Sequence, residues 1–187
     1  MHETTREFVE RLRAAHGVEP AVETFPEGTK TAADAAAAVG CEPSQIVKSV
    51  VLTVDLAGGD DGDGDTDGAS GTHPNPTDST DEDGRAVVVV LTAGHHRVDT
   101  DALVHELGAE SVSLADPDTV QAATGWSIGG VPPVCHDRDL PVYLDESLRD
   151  HETVWAAAGT PETVFPVAPE RLVAWTDPTP TTAFEDA

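Results

Sequence analysis

The sequence predicts an α+β fold in which helices pack on a mixed β-sheet. Strand-like and helix-like segments follow one another without the regular βαβ repeat of a parallel fold. The run RAVVVVLTA, residues 85–93, is apolar on both strand faces, which is typical of a central strand covered on each side. With 187 residues, the chain falls in the range of about 100 to 200 residues that one domain usually occupies. We therefore expect a single domain over residues 1–176, and the pattern leaves open whether its sheet curls.

The elements before residue 57 follow from capping residues, glycines and apolar runs. Side chains that cap a helix start precede the helical patterns, and glycine, which tolerates left-handed backbone, follows them. In order, the elements are a helix opened by the capping-box pair Thr4 and Glu7 and ended at Gly17, a strand at AVETF (21–25), an alanine-rich helix capped by Thr31 and ended at Gly40, and a strand at QIVKSVVL (45–52).

The same signals divide the chain after residue 84. In order, the elements are the central strand (85–93), a helix capped by Asp99 or Thr100 and followed by Gly108, a strand at SVSLA (111–115), a helix opened by Asp116 and Pro117 and ended near Gly125, strands at LPVYLD (140–145), TVWAAAG (153–159) and TVFPVA (163–168), and a helix at PERLVAW (169–175). The last residues, 177–187, are expected to form a frayed tail.

An acidic segment separates the second and third predicted strands. Residues 57–85 consist almost wholly of Gly, Asp, Ser, Thr, Pro and Asn, which cannot bury enough apolar surface to offset the entropy of ordering them. Asp63, Asp65, Asp67 and Gly68 match the first half of a calcium-binding EF-hand loop, but Pro74 stands where that loop needs a glutamate. The preferred interpretation is therefore a disordered, solvated insertion.

The composition bears on habitat and partners. The formal net charge is −25, and only two of the ten cationic residues are lysines, which favours adaptation to a cytoplasm near molar salt. At such salt the Debye length is about 3 Å, so acidity does not exclude an RNA partner. The alternative is an acidic protein that works at ordinary salt concentration and binds a cationic partner. Neither DNA nor a membrane is an expected partner. No signal peptide or long apolar span is present, which argues against a membrane and predicts a cytoplasmic location.

Lys48 lies in the middle of an apolar strand. Alternation places it on one face with Ile46, Val50 and Leu52, while the other face, which carries Val47, Ser49, Val51 and Thr53, is expected to meet water. Two interpretations stay open. The ammonium either reaches solvent at the strand end or lines a cavity, where burial lowers its pKa and an anionic or carbonyl ligand can pair with it.

A glycine and proline loop is the second candidate constellation. It comprises Gly129, Gly130, Val131, Pro132 and Pro133. Glycines allow close approach of the backbone, and the two prolines stiffen the end of the loop, so it could present fixed N–H groups to a carbonyl oxygen. The alternative interpretation is an ordinary turn.

Four segments together resemble a known family. QIVKSVVL (45–52), TGWSIGGVPPVCH (124–136), LPVYLDESL (140–148) and VWAAAGTPETVF (154–165), in this order, are similar to the YbaK family of aminoacyl-tRNA deacylases. That family is related to the editing domain inserted in many bacterial prolyl-tRNA synthetases. The resemblance extends from about Thr4 to Trp175 and excludes the acidic segment and the tail.

The resemblance implies a mixed, barrel-like sheet and hydrolysis of the ester that joins a wrong amino acid to a tRNA. By this resemblance Lys48 contacts the ester or the terminal phosphate region, and the Gly130–Pro133 loop holds the aminoacyl group. Asp145 would shape the pocket or contact the amino group. No metal or other cofactor is implied. The implied partners are an aminoacyl-tRNA and, secondarily, an aminoacyl-tRNA synthetase.

The chain departs from the family after the prolines. Val134, Cys135 and His136 stand where many relatives have Phe-Gly-His, which makes substrate choice an open question. A Cys–His nucleophile is a disfavoured hypothesis, because adjacent residues on extended backbone point apart. His95 and His96 are interpreted as loop histidines without a metal-binding pattern.

The sequence thus leads to three functional hypotheses. In the preferred one, a hydrolase, Lys48 and Gly130 are the predicted catalytic residues, and the predicted substrate contacts are Gly129, Val131, Pro132, Pro133, Cys135, His136 and Asp145. A noncatalytic module that binds an aminoacyl-tRNA end is the alternative. A third hypothesis is an interaction protein that recruits a partner through its acidic insertion.

Overall fold

The computed structural model describes residues 2–25, 31–56, 80–81 and 83–187. Within them lie five α-helices, α1 (Glu3–His16), α2 (Ala32–Val39), α3 (Thr100–Leu107), α4 (Pro117–Thr124) and α5 (Pro169–Thr176). The strands are β1 (Glu23–Thr24), β2 (Ile46–Leu56), β3 (Ala86–Ala93), β4 (His96–Val98), β5 (Ala109–Leu114), β6 (Val142–Asp145), β7 (Val154–Ala157), β8 (Thr163–Val167), β9 (Thr179–Thr181) and β10 (Phe184–Asp186). No helix among these residues is long and apolar enough to cross a membrane.

Eight strands form one mixed sheet. Its order is β1-β8-β7-β2-β3-β6-β9, and β5 pairs with the far half of β2. The pairs β2–β7, β3–β6 and β6–β9 are parallel, and the others are antiparallel. The predicted α+β class with a mixed sheet is confirmed. Among the described residues the sheet is open rather than closed into a barrel, since β1 and β9 end it on opposite sides.

The central position of β3 is confirmed, because every residue from Ala86 to Ala93 is buried. Helices α1, α4 and α5 cover one face and contribute Phe8, Leu12, Val120, Ala123 and Leu172 to the largest apolar cluster. Helix α3 covers part of the other face. Burying a Val, Leu, Ile or Phe side chain stabilises a fold by about 1.5 to 3 kcal/mol, so this double cover holds the sheet in place.

The face of β2 that was expected to meet water is buried instead. Val47 and Val51 belong to the largest apolar cluster, and Thr53 is buried. The hydroxyls of Ser49 and Thr53 could not indicate whether a helix packs against this face. Helix α1 reaches it from the N-terminus, which is distant in sequence. The expectation from the hydroxyls was therefore wrong.

Helix ends follow the predictions with one exception. The C-terminal glycines Gly17, Gly40, Gly108 and Gly125 all adopt left-handed backbone. Thr31, Asp99 and Asp116 each cap a helix through a side-chain oxygen. The exception is α1, which begins at Glu3 with His2 as its N-cap, so the predicted capping box of Thr4 and Glu7 does not form.

The C-terminal segment is ordered into strands, contrary to the expected frayed tail. Strand β9 pairs with β6, and β10 pairs with β4. Thr181 and Ala183 are buried, and the Thr181 hydroxyl donates to Glu106 at 2.8 Å. Each strand is only three residues long, so local sequence carries little signal for it. The predicted insertion, including the calcium-like pattern, lies almost wholly in residues 57–79, outside the described residues.

Candidate active site

A groove opens where β2 separates from β7. Ile46 and Val47 pair with β7, and β2 pairs with β5 from Leu52 onward, so among the described residues no strand pairs with this edge of Lys48–Val50. The resulting space has a volume of about 1050 Å³. We call it the Lys48 groove; its walls include Ile46, Val47, Lys48, Ser49, Gly94, His95, Gly129, Val131, Trp155, Ala157, Thr160, Pro161 and Glu162.

Lys48 lines this groove, which favours the cavity interpretation over the solvent one. Its Nζ donates a hydrogen bond to the backbone carbonyl of His96. Burial lowers the pKa of Lys48, and the negative charge of Asp145 partly opposes that effect. No other Lys or Arg of the described residues lines the groove, so Lys48 supplies its positive charge.

Asp145 lies behind the groove rather than in its wall. The residue is 3% exposed, and its carboxylate accepts hydrogen bonds from the backbone N–H groups of Ala93 and Ser147, both at 3.1 Å, from the Ser147 hydroxyl at 2.6 Å, and from Nδ1 of His96 at 2.7 Å. Burial alone would raise its pKa, but the bonds from Ser147, His96 and Ala93 outweigh burial, and the pKa of Asp145 is lowered. Asp145 thus joins β3, β4 and β6 as an ionised acceptor. The geometry favours pocket structure over contact with a substrate amino group.

His96 is the residue that the sequence interpretation missed. It lies on β4, where its carbonyl accepts from Lys48 and its ring donates to Asp145. The ring lies near that of His95, with centroids 3.8 Å apart, and stacks on Phe184, with centroids 6.0 Å apart. No local pattern marks His96, because its role depends on bonds to Lys48 and Asp145, which are distant from it in sequence.

The glycine loop reaches the groove through Gly129 and Val131. Gly129 adopts a φ of +87°, which favours glycine. The N–H of Gly130 donates to the carbonyl of Ser127 at 3.0 Å, so within this turn it is engaged rather than directed at a ligand. Gly130 packs directly on the backbone of Thr160, and this contact fixes the loop against the β7–β8 turn.

Replacing Gly130 by alanine should therefore destabilise both the loop and the site. A Cβ there would lie 2.6 Å from Cα of Thr160 and 2.8 Å from the carbonyl oxygen of Gly159, and neither backbone atom can move alone. We expect Gly130→Ala to lower the free energy of unfolding by about 2 kcal/mol, as overpacking typically does. Urea unfolding monitored by tryptophan fluorescence measures this change. An unchanged midpoint would show that the loop is loosely packed.

Three of the remaining predicted residues line a different cavity. Pro133, Cys135 and His136 surround a space of about 280 Å³ together with His16 and Trp175. The ring Nε2 of His136 donates to the carbonyl of Pro132 at 2.7 Å. The structure therefore separates this part of the loop from the Lys48 groove.

Cys135 is unsuited to nucleophilic attack. Burial raises the pKa of its thiol to about 11, so the thiolate is scarce at neutral pH. Burial also lowers the pKa of His136. Cys135 adopts a φ of +65°, a conformation that favours glycine, which accords with the glycine that many relatives of the resembled family have there.

Comparison with known proteins finds a matching family and a similar solved structure. The model of a family described as the aminoacyl-tRNA editing domain matches residues 26–174. A crystal structure of a candidate trans-editing enzyme for prolyl-tRNA synthetase has a TM-score of 0.77 and 30% sequence identity, and the match covers 100% of this chain and 99% of that chain.

Curated relatives match over shorter parts of their length. EbsC of Enterococcus faecalis, named as a candidate Cys-tRNA(Pro)/Cys-tRNA(Cys) deacylase, is 26% identical over 90 residues, which is 48% of this chain and 55% of EbsC. The proline–tRNA ligase of Bacillus licheniformis is 28% identical over 143 residues, which is 76% of this chain and 20% of the ligase. The matched segments thus span about half of EbsC and a fifth of the ligase.

Proposed function

Because the chain belongs to the aminoacyl-tRNA editing domain family, we propose that it is a trans-editing hydrolase that deacylates mischarged aminoacyl-tRNA. The observation that carries this proposal is the single cationic side chain in the described wall of an otherwise largely apolar groove of about 1050 Å³. Such a groove is large enough for an aminoacyl group and part of its terminal nucleotide, since small-molecule sites occupy about 300 to 1,000 Å³.

In the proposed reaction, water adds to the ester carbonyl carbon and the bond from that carbon to the ribose oxygen breaks. The ribose oxygen takes a proton, and the products are a free amino acid and an uncharged tRNA. Lys48 stabilises negative charge on the ester or on the adjacent phosphate, and the groove makes this interaction stronger than it would be in bulk water. The carbonyl of His96 holds the ammonium in place for this role.

The proposed partners and habitat follow from the same reaction. An aminoacyl-tRNA is the substrate, and prolyl-tRNA synthetase is a candidate partner, because a ligase of that type contains a matching segment. Translation places the reaction in the cytoplasm. A net charge of −25 on 187 residues supports work at high salt, where screening reduces repulsion of the tRNA.

A deacylation panel tests the function. In molar KCl, tRNAs charged with alanine, cysteine, serine or proline are incubated with the protein, and the remaining ester is measured over time against buffer of the same salt. We expect at least one substrate to lose its amino acid at least about tenfold faster than in buffer, a modest share of typical enzymatic acceleration. No acceleration on any substrate would refute the hydrolase, and tight binding without turnover would favour the noncatalytic module.

A further inference from the structure

His95 is the only histidine among the described residues that line the Lys48 groove. The residue is exposed, and its ring contacts the ring of His96. Within the described part of the chain, neither ring nitrogen of His95 has a hydrogen-bond partner. The ring nitrogens are therefore free to bind a water molecule or a substrate. His96 differs in this respect, because its Nδ1 is engaged by Asp145.

The turn that carries His95 is held from two sides. A Cβ at Gly94 would overlap the carbonyl oxygen of Pro43 and lie 2.7 Å from Cβ of Ala32, so this turn packs closely on the start of α2 and on the segment before β2. From the other side, the N–H of Ala187 donates to the carbonyl of His95 at 3.0 Å. The backbone of His95 is thus fixed while its ring nitrogens stay free. A group on a fixed backbone loses little freedom when it acts on a bound substrate.

The same turn places His95 close to the ammonium of Lys48. The Nζ of Lys48 donates to the carbonyl of His96, which is the residue after His95, and Lys48 and His95 both line the groove. An ester that is bound through Lys48 therefore lies in the part of the groove that His95 borders.

The proposed hydrolysis needs a group that takes up a proton and then releases it. The ionisable side chains in the described groove wall are Lys48, His95 and Glu162. Lys48 stabilises charge in the proposed reaction, and the carboxylate of Glu162 pairs with Nε2 of His2 at 2.7 Å. Imidazole both accepts and donates protons near neutral pH and is the side chain most often used for this purpose. His95 is therefore the best candidate for the proton transfers.

On the basis of the proposed function, we propose that His95 is a further catalytic residue, which acts first as general base and then as general acid. Its neutral imidazole takes a proton from water as the water oxygen bonds to the ester carbonyl carbon. The imidazolium then gives a proton to the ribose oxygen as the bond from the carbon to that oxygen breaks. The imidazole is neutral again at the end, and one water molecule is consumed.

The test measures deacylation by His95→Ala of the substrate that wild type hydrolyses fastest in the panel, in molar KCl. We expect kcat to fall by at least about 100-fold and KM to change by less than about threefold, since general acid–base catalysis contributes about 10²- to 10⁴-fold. Free imidazole should raise the rate of this variant at least about tenfold, because it can enter the space of the missing ring and transfer the proton. It should not raise the rate of wild type, once hydrolysis without enzyme is subtracted.

His105→Ala is the matched control. His105 is an exposed histidine in the last turn of α3 and is not among the residues that line the groove. This variant should keep the wild-type kcat and should not respond to imidazole. Both variants should unfold near the wild-type midpoint in urea, because substitutions of exposed residues generally change stability little.

The outcomes separate the two proposals. If wild type accelerates no ester in the panel, the hydrolase proposal fails and this inference fails with it. If wild type is active and His95→Ala keeps more than about a tenth of its kcat, His95 is not a catalytic residue and the hydrolase stands. A larger loss that free imidazole does not reverse would also overturn proton transfer by His95.

Discussion

Replacing Lys48 by methionine is expected to lower kcat/KM for deacylation by at least about 100-fold, which is the usual loss when one preorganised charge-stabilising group is removed. Methionine fills similar space without charge, and no other Lys or Arg of the described groove wall could substitute for the ammonium. The loss should appear mainly in kcat if Lys48 acts on charge that develops during reaction, and mainly in KM if it holds the terminal phosphate.

The same variant should fold as well as wild type. Burial lowers the pKa of Lys48, so its charged form is less favourable in the folded state than in the unfolded chain. The variant removes that unfavourable contribution but leaves the carbonyl of His96 without its donor, and we expect the net change in unfolding free energy to stay within about 1 kcal/mol. Urea unfolding in molar KCl measures it.

The pH dependence has a definite sign. Below its lowered folded pKa, Lys48 is charged in both the folded and the unfolded state, and its unfavourable contribution is fully present. As the pH rises from the lowered folded pKa toward the ordinary value of 10.5, the folded protein releases the proton first, so wild-type stability rises relative to Lys48→Met.

Arg149→Met provides the control for loss of one positive charge. Arg149 is exposed, pairs with Glu146 at 3.6 Å and does not line the groove, so this variant should keep wild-type activity. Activity of Lys48→Met above about a tenth of wild type would remove Lys48 from the mechanism, because such a loss is smaller than the expected effect.

The structure brings some of the predicted site residues together and separates others. Lys48 and Gly129 share a groove because β2 and the loop after α4 approach the same turn before β8. Cys135 and His136 lie only a few residues further along the loop, but they line a separate cavity with Trp175. Residues that are close in sequence can line different cavities, and the path of the backbone determines which cavity each residue lines.

Two other differences have the same physical origin. Ser49 was expected to meet water, yet its oxygen is buried. His96 gains its role from pairings of β4 and β6 that join distant segments. Strand alternation predicts which residues share a face, but tertiary packing determines which face is covered.

Asp145→Asn is expected to lower the free energy of unfolding by about 3 kcal/mol at neutral pH. The carboxylate accepts from Ala93, Ser147 and His96, and its two oxygens face donors on both sides. An asparagine has the same shape, but its amide nitrogen would turn N–H groups toward one set of these donors. The variant thus loses acceptors where the structure needs them, and it loosens the carbonyl of His96 that holds Lys48.

The pH dependence distinguishes this role from a general defect. The folded pKa of Asp145 lies below its ordinary value of 3.8, so its stabilising contribution is fully present above that value and is lost as the pH falls through the folded pKa. The difference between wild type and Asp145→Asn should therefore be constant near neutral pH and shrink in strong acid. Urea unfolding in molar KCl from neutral pH into strong acid follows this difference.

Asp150→Asn is the matched control, because Asp150 is an exposed carboxylate in the turn after β6. It should change stability by less than about 0.5 kcal/mol, as surface substitutions generally do. A loss below about 1 kcal/mol in Asp145→Asn, or a loss that stays constant into strong acid, would show that the carboxylate does not hold β3, β4 and β6 together. Because the same bonds position the acceptor of Lys48, any loss of stability in Asp145→Asn should be accompanied by slower deacylation even under conditions where the variant is fully folded.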